Sequence, residues 1–287
     1  MKNDILIVNP KDFEKKLNEF IESGIKNLHI LSDFDKTLTK AYYHSKTAGS
    51  LISHLRNGNY LSKDYSEKAH SLYNKYHPIE IDTLIPLVER KIKMQEWWEK
   101  HMQLLIDSGF DLKTMKKSMK DMIKEDTLDF RSGVITFLKL LDEKKIPLVI
   151  ITSSLGDLIK EFMNLKKVYF KNTHIIGNNF LFDDKGKAKG NSKIIHVYNK
   201  HEFELETMDF FPCLLKRKNI ILLGDSIGDL GMVEGFPFEN LIKIGFLNEN
   251  INDSLEEYKK NFDVLILNDS DFSFINDIIK KIIDKKL

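Results

Sequence analysis

Apolar residues recur along this chain at two different periods, and the change from one to the other divides it into parts. In "NPKDFEKKLNEFIESG", residues 9–24, Phe13, Leu17, Phe20 and Ile21 return every three or four positions, the spacing of one helical face. Asn9 can cap that helix, Pro10 suits its first position, and Gly24 can end it. The run "NLHILSD" that follows reads as a short strand ending at Asp33. From about Ala41 to about Lys124 the spacing is helical again. Tyr65, Ala69, Leu72, Tyr73 and Tyr76 share a stripe, and a long helix after Asp82 runs to about Gly109 carrying Trp97 and Trp98. A third stripe holds Leu112, Met115, Met119, Met122 and Ile123, and no strand is expected in this stretch.

After it the pattern changes. "IPLVIITSS", "NIILLGDS", "LIKIGF" and "DVLILND" are near-continuous apolar runs separated by helical patterns. That alternation predicts a parallel sheet covered on both faces. "NNFLFDDKGKAKG" reads as a hairpin, and Phe274, Ile275, Ile278, Ile279, Ile282 and Ile283 mark a last helix. The expected fold is α/β: a Rossmann-like parallel-sheet core over residues 1–40 and 125–287, with an all-helical cap, residues 41–124, inserted after the first strand.

Composition changes this picture little. Hydrophobic residues make up 42% of the 287 and charged residues 30%, an ordinary globular balance. A net charge of +1 argues against a nucleic-acid or acidic-membrane binder. Cys213 is the single cysteine, which fits a reducing compartment. No apolar stretch has the length of a membrane span, and the first residues lack the pattern of a secretory signal. A cytoplasmic monomer whose partner is a small molecule, with no nucleic-acid or membrane partner, is the expectation.

The chemistry gathers at strand ends. Ligands of open parallel sheets bind beyond the carboxyl ends of the strands. There the chain places Asp33 and Asp35, then Thr152, Ser153 and Ser154, then Asp225 and Asp229 in "GDSIGD". Clustered carboxylates call for a cation, and few carboxylates with room for water and phosphate suit Mg²⁺ better than Ca²⁺. A calcium-loop register from Asp33 fails, because Thr37, Leu38 and His44 stand where an acid, a glycine and a glutamate are needed. No nucleotide-binding P-loop and no zinc-ligand spacing occur.

"DFDKTLT", the Thr152 strand end and "GDSIGD" together resemble the signature motifs of the haloacid dehalogenase-like phosphatases. "HVYNKHE", "IILLGDSIGDL", "LIKIGFLN", "IEID" and "EWW" resemble the cytosolic 5′-nucleotidase III group, the pyrimidine 5′-nucleotidases, over nearly the whole chain. The resemblance implies a Mg²⁺-dependent hydrolase of nucleoside 5′-monophosphates, chiefly UMP and CMP; a related branch acts on 7-methylguanosine monophosphate. It implies Asp33 as nucleophile and Asp35 as acid/base. Mg²⁺ would be held by Asp33, the Asp35 carbonyl and Asp225, with Asp229 orienting metal waters or Lys200. Thr152, Ser153 and Lys200 would bind the phosphoryl group. In the cap it implies Glu80, His101 and Trp98 as substrate contacts, with only one of Trp97 and Trp98 facing the site because neighbours on a helix diverge by about 100°. His101, Ser154 and Lys36 replace the Ser, Gly and Met often found in the family. Other small-phosphoester hydrolysis, phosphoryl transfer to a nucleoside, and a non-catalytic nucleotide-binding domain remain alternatives.

Overall fold

A computed structural model describes residues 4–82, 84–200, 208–234 and 236–285. In chain order the elements begin with β1 (Ile5–Ile7), α1 (Pro10–Ser23) and β2 (Leu28–Ser32). Next come β3 (Tyr42–Tyr43), β4 (Lys46–Thr47), α2 (Leu51–Asn57), α3 (Tyr65–Ile81), α4 (Leu87–Asp107) and α5 (Leu112–Lys124). Then follow α6 (Val134–Glu143), β5 (Leu148–Leu155), α7 (Gly156–Leu165), β6 (Thr173–Asn178), β7 (Phe180–Phe182) and β8 (Ala188–Asn191). The chain closes with α8 (Phe211–Leu215), β9 (Asn219–Gly224), β10 (Asn240–Leu247), α9 (Ile251–Asn261), β11 (Val264–Leu267) and α10 (Ser273–Asp284).

Among the described residues the main sheet has seven strands in the order β1-β11-β10-β9-β2-β5-β6. Only β1, at the edge, is antiparallel to its neighbour. Both faces are buried. Ile30, Ile150, Ile221 and Ile244 point into one apolar cluster, while Leu31, Val149, Ile220 and Leu222 point into a second on the other side. That explains why these strands read as unbroken apolar runs rather than as alternation. Truncating a side chain such as Ile221, with no exposure at all, should cost about 2–5 kcal/mol.

Helix α1 starts as its sequence predicts: the Asn9 side chain accepts from the Asp12 amide at 3.3 Å, and Phe13, Leu17, Phe20 and Ile21 are its buried face. The hairpin is β7 paired antiparallel with β8. Two features depart from the sequence reading. Strand β1 precedes α1, so the helical segment follows the second strand in chain order, although β2 is the first of the parallel set. The segment is also not wholly helical, since β3 and β4 form a two-residue hairpin at its entrance. Helices α3 and α4 pack against each other through aromatic rings, with Trp97 stacked on Tyr76 at 6.0 Å and 12°. No helix among the described residues is long and apolar enough to cross a membrane.

Candidate active site

The register of the sheet assembles the site. Strands β2 and β9 pair in parallel with Ser32 opposite Leu223, and the Asp33 amide donates to the Leu223 carbonyl at 2.9 Å. Asp33 and Asp225 therefore leave adjacent strands at the same rim. The chain turns sharply after Asp35: Lys36 has φ of 57°, and its amide donates to Thr39 Oγ1 at 2.9 Å. Arg131 secures this turn from below. Its guanidinium donates to the carbonyls of Thr37 at 3.1 Å and Lys36 at 2.5 Å and pairs with Asp269 at 2.6 Å.

On the other side of β2, strand β5 loses register with β6 between Ile151 and Leu155. Thr152, Ser153 and Ser154 bulge there. The Ser154 amide donates to Thr152 Oγ1 at 2.9 Å, and Asn178 donates to the Ser153 carbonyl at 2.8 Å. The bulge requires Gly177, where a Cβ would lie 2.9 Å from Thr152 Cγ2. Ser154 Oγ is buried beside the Asp35 carboxylate, which it favours in the charged form, without reaching full hydrogen-bond geometry to a protein atom. Such a hydroxyl is costly to leave unpaired and suits a ligand oxygen.

Lys200 joins the acids. Its ammonium donates to Asp33 Oδ1 at 2.6 Å and to Asp229 Oδ1 at 2.7 Å, and it is only 5% exposed. Asp229 is fixed in turn by the amides of Asp225 at 3.1 Å and Ser226 at 2.9 Å. Ser226 and Asp229 form a capping box at the start of the 3₁₀ turn Ile227–Val233. Asp229 approaches so closely that a Cβ on Gly224 would sit 2.6 Å from its own Cβ. His201 and Glu202, which complete the "HVYNKHE" stretch, lie outside the described residues.

Oxygens of Asp33, Asp225 and Asp229 all lie within 4.8 Å of one another. One lysine does not balance them. Burial raises Asp33 to about 7 against the opposing pull of Lys200. Burial, with the charges of Asp229 and Asp33, raises Asp225 well above the ordinary carboxylate range. Burial also lifts Asp35 to about 6, again against Lys200. Burial pulls Lys200 down, but the charges of Asp229 and Asp33 outweigh it and hold the ammonium above its ordinary value. Raised carboxylates mark a deficit of positive charge. An all-oxygen donor set built on Asp33 and Asp225 fits a hard divalent ion such as Mg²⁺, with Asp229 committed to Lys200.

A cavity of about 690 Å³ opens from this rim toward the helical segment. Asp35, Ser153 and Ser154 border one end; Tyr73, His77, Glu80, Trp97, Trp98 and His101 line the rest. Both tryptophans border it, where the sequence reading expected one, and Trp97 also packs against Tyr73 and Tyr76. Glu80 pairs with His77 at 3.0 Å and keeps 28% of its side chain exposed. The Tyr198 hydroxyl donates to the Glu80 carbonyl, tying the Lys200 segment to α3. His101 is 3% exposed, its Nε2 lies 3.1 Å from the Tyr65 hydroxyl, and burial drives its pKa down to about 3. It contributes a neutral wall. Arg56, which no sequence motif marks, also lines the cavity.

The chain that builds this site is similar to known proteins. A family model described as pyrimidine 5′-nucleotidase (UMPH-1) matches residues 36–283, beginning immediately after Asp35. The chain belongs to the pyrimidine 5′-nucleotidase family. Over 285 residues it is 33% identical to the 7-methylguanosine phosphate-specific 5′-nucleotidase of Mus musculus, covering 99% of this chain and 94% of that one. The enzyme of the same name from Drosophila melanogaster is 30% identical over 266 residues, covering 91% and 82%. The crystal structure of cytosolic 5′-nucleotidase IIIB bound to cytidine superimposes with a TM-score of 0.89 at 26% identity, covering 99% of this chain and 95% of that one. Substrate-bound phosphoserine phosphatase shares the fold, with a TM-score of 0.51 at 14% identity over 88% and 98%. As a family member the chain is a phosphoric monoester hydrolase, a 5′-nucleotidase on the haloacid dehalogenase-like fold.

Proposed function

We propose that this 5′-nucleotidase is Mg²⁺-dependent and cytoplasmic, and that it hydrolyses 7-methylguanosine monophosphate and the pyrimidine monophosphates CMP and UMP through an aspartyl-phosphate. The observation that carries this reading is Lys200 bridging Asp33 and Asp229 at the strand rim where Asp35, two residues beyond Asp33, borders an aromatic, Glu80-bearing cavity.

The phosphate lies against Thr152, the Ser153 backbone, Ser154 and Lys200. Asp33 attacks phosphorus with a carboxylate oxygen while the bond to the nucleoside O5′ breaks. Asp35 delivers a proton to that leaving oxygen; a carboxyl raised to about 6 suits this near neutral pH. The phosphoryl group then rests on Asp33 as a mixed anhydride. Asp35, now ionised, takes a proton from water, which attacks phosphorus, releases phosphate and restores the Asp33 carboxylate. Lys200 stays with the transferring group and offsets its charge. Mg²⁺ held by Asp33, Asp225 and the Asp35 carbonyl would supply the positive charge these acids lack.

Sequence alone ranks the pyrimidines first. The relatives' names and the cavity wall favour moving 7-methylguanosine monophosphate beside or ahead of them. A cationic methylated purine ring gains from aromatic faces, and its ring N–H and amino group match a carboxylate such as Glu80. The cytidine in the related crystal structure keeps the pyrimidine reading in play. Phosphate release from 7-methylguanosine monophosphate, CMP, UMP, GMP and AMP, with Mg²⁺ and with EDTA, tests the proposal. Turnover of the first three that stops in EDTA is expected. Metal-independent turnover, or activity confined to phosphoesters without a base, would reject it.

A further inference from the structure

Among the described residues Arg56, near the end of α2, is a buried cation with no carboxylate partner. It is 8% exposed, its Nε has no hydrogen-bond partner, and the groups that bear on it electrostatically are the Tyr73 and Tyr65 phenols and the neutral His101 ring. Its guanidinium lies over the Tyr73 ring, 4.1 Å from the centroid, and borders the cavity. Buried charges are normally paired, so an open guanidinium facing a substrate cavity is poised for an acceptor brought by the ligand. The contacts continue from there. Tyr73 stacks on His77 at 4.7 Å and 18°, and His77 Nδ1 meets Glu80 Oε2 at 3.0 Å. One wall of the cavity thus carries a cation at one end, two stacked rings between, and an anion at the other.

We infer that Arg56 is a specificity-determining residue that donates to a carbonyl oxygen of the substrate base while Glu80 accepts from its N–H edge. Its helix places it at the right depth. The N-terminus of α2 lies beside the acid/base, the Leu51 backbone being within reach of Asp35. Arg56 stands five residues further along, about 7.5 Å of helix rise. That step leads from the phosphate end to where a base would lie. The ligand class is therefore a nucleoside 5′-monophosphate whose base has both a carbonyl and an N–H or amino donor. Uracil, cytosine, guanine and 7-methylguanine qualify; adenine has an amino group but no carbonyl. The inference rests on the nucleotidase reading and narrows it: Glu80 alone would accept the adenine amino group, whereas adenine offers Arg56 only ring nitrogens in place of a carbonyl oxygen.

The test is the kinetics of Arg56→Met and Arg56→Lys on CMP, UMP, 7-methylguanosine monophosphate and AMP, with ribose 5-phosphate as a base-free substrate. Loss of a charge-assisted hydrogen bond should lower kcat/KM of the Met variant about 10- to 100-fold on the three carbonyl-bearing nucleotides. The Lys variant, which keeps the charge but not the fork, should fall in between. AMP and ribose 5-phosphate should change less than about twofold, which also reports that the variant is folded. Calorimetric binding of cytidine and adenosine gives the same comparison without turnover; cytidine should weaken and adenosine should not. Equal loss on ribose 5-phosphate, or equal weakening of both nucleosides, would make Arg56 a structural residue and overturn the inference. Unchanged CMP kinetics would overturn it as well. Wild-type enzyme that turns over no nucleotide but binds cytidine through Arg56 would instead sink the nucleotidase reading and leave this one standing.

Discussion

Replacing Lys200 by methionine keeps an unbranched side chain one atom shorter and removes its charge. Lys200 is in contact with Asp33 at 2.6 Å and Asp229 at 2.7 Å, and Asp225 lies in the same group of oxygens within 4.8 Å. Two unit charges about 4 Å apart at an effective dielectric near 20 repel by about 4 kcal/mol. Proton uptake relieves part of that, since these acids are already raised. Breaking a buried pair by removing one partner typically costs about 3–5 kcal/mol. Urea unfolding at pH 8 in EDTA should therefore show Lys200→Met less stable by about 3 kcal/mol, and the gap should narrow toward pH 5 as the carboxylates protonate. Adding Asp229→Asn should restore at least half of the loss. Mg²⁺ should restore part of it in the single variant. Activity should separate from stability: kcat should fall about 10²- to 10³-fold in Lys200→Met and stay low in the double variant. If Lys200→Met unfolds within about 1 kcal/mol of the parent at pH 8, or if Asp229→Asn recovers nothing, the acids are not held together by this lysine and the reasoning is wrong.

Two further outcomes follow from buried groups. His29 has no exposure, its ring meets only the Arg217 backbone and without full hydrogen-bond geometry, and burial with the nearby Arg217 charge lowers its pKa from 6.5 to about 4. The folded state keeps it neutral while the unfolded chain takes up a proton below about 6.5, so stability is complete above that pH and falls as pH drops toward 4. The shift corresponds to about 3 kcal/mol, and His29→Phe should flatten the acid limb of a melting-temperature profile by that order; an unchanged limb would remove His29 from the account. Gly224→Ala would place a methyl 2.6 Å from Asp229 Cβ. It should cost about 1–3 kcal/mol by denaturation and lower kcat by displacing Asp229 from Lys200; full activity would show that the close approach is dispensable.

What the sequence discloses and what it conceals follow from how many residues carry each signal. The five inner strands, β11, β10, β9, β2 and β5, are legible because burial on both faces writes an unbroken apolar run, as in "NIILLG". The acids at their ends are legible because short motifs put several polar residues at one rim. Strand β1 escapes notice: three residues, Ile5 to Ile7, carry no period, and its place depends on pairing with β11, some 260 residues away. Strand β6 hides because only its centre is apolar, and β3 and β4 are two residues each. The bulge at Thr152–Ser154 depends on the register with β6 and on Gly177, neither of which a local pattern shows. Arg56 is an ordinary helix arginine in sequence. Only tertiary packing shows that its charge is buried and unpaired.

The central claim is that Asp33 takes the phosphoryl group from the nucleotide. Rapid acid quench of the enzyme during turnover of CMP with Mg²⁺, followed by proteolysis and mass mapping, tests it. A phosphoryl group on the peptide containing Asp33, lost on hydroxylamine treatment and absent in Asp33→Asn, is the predicted result. Steady phosphate release by the Asp33→Asn variant, or a phosphoryl group on another residue, would contradict it.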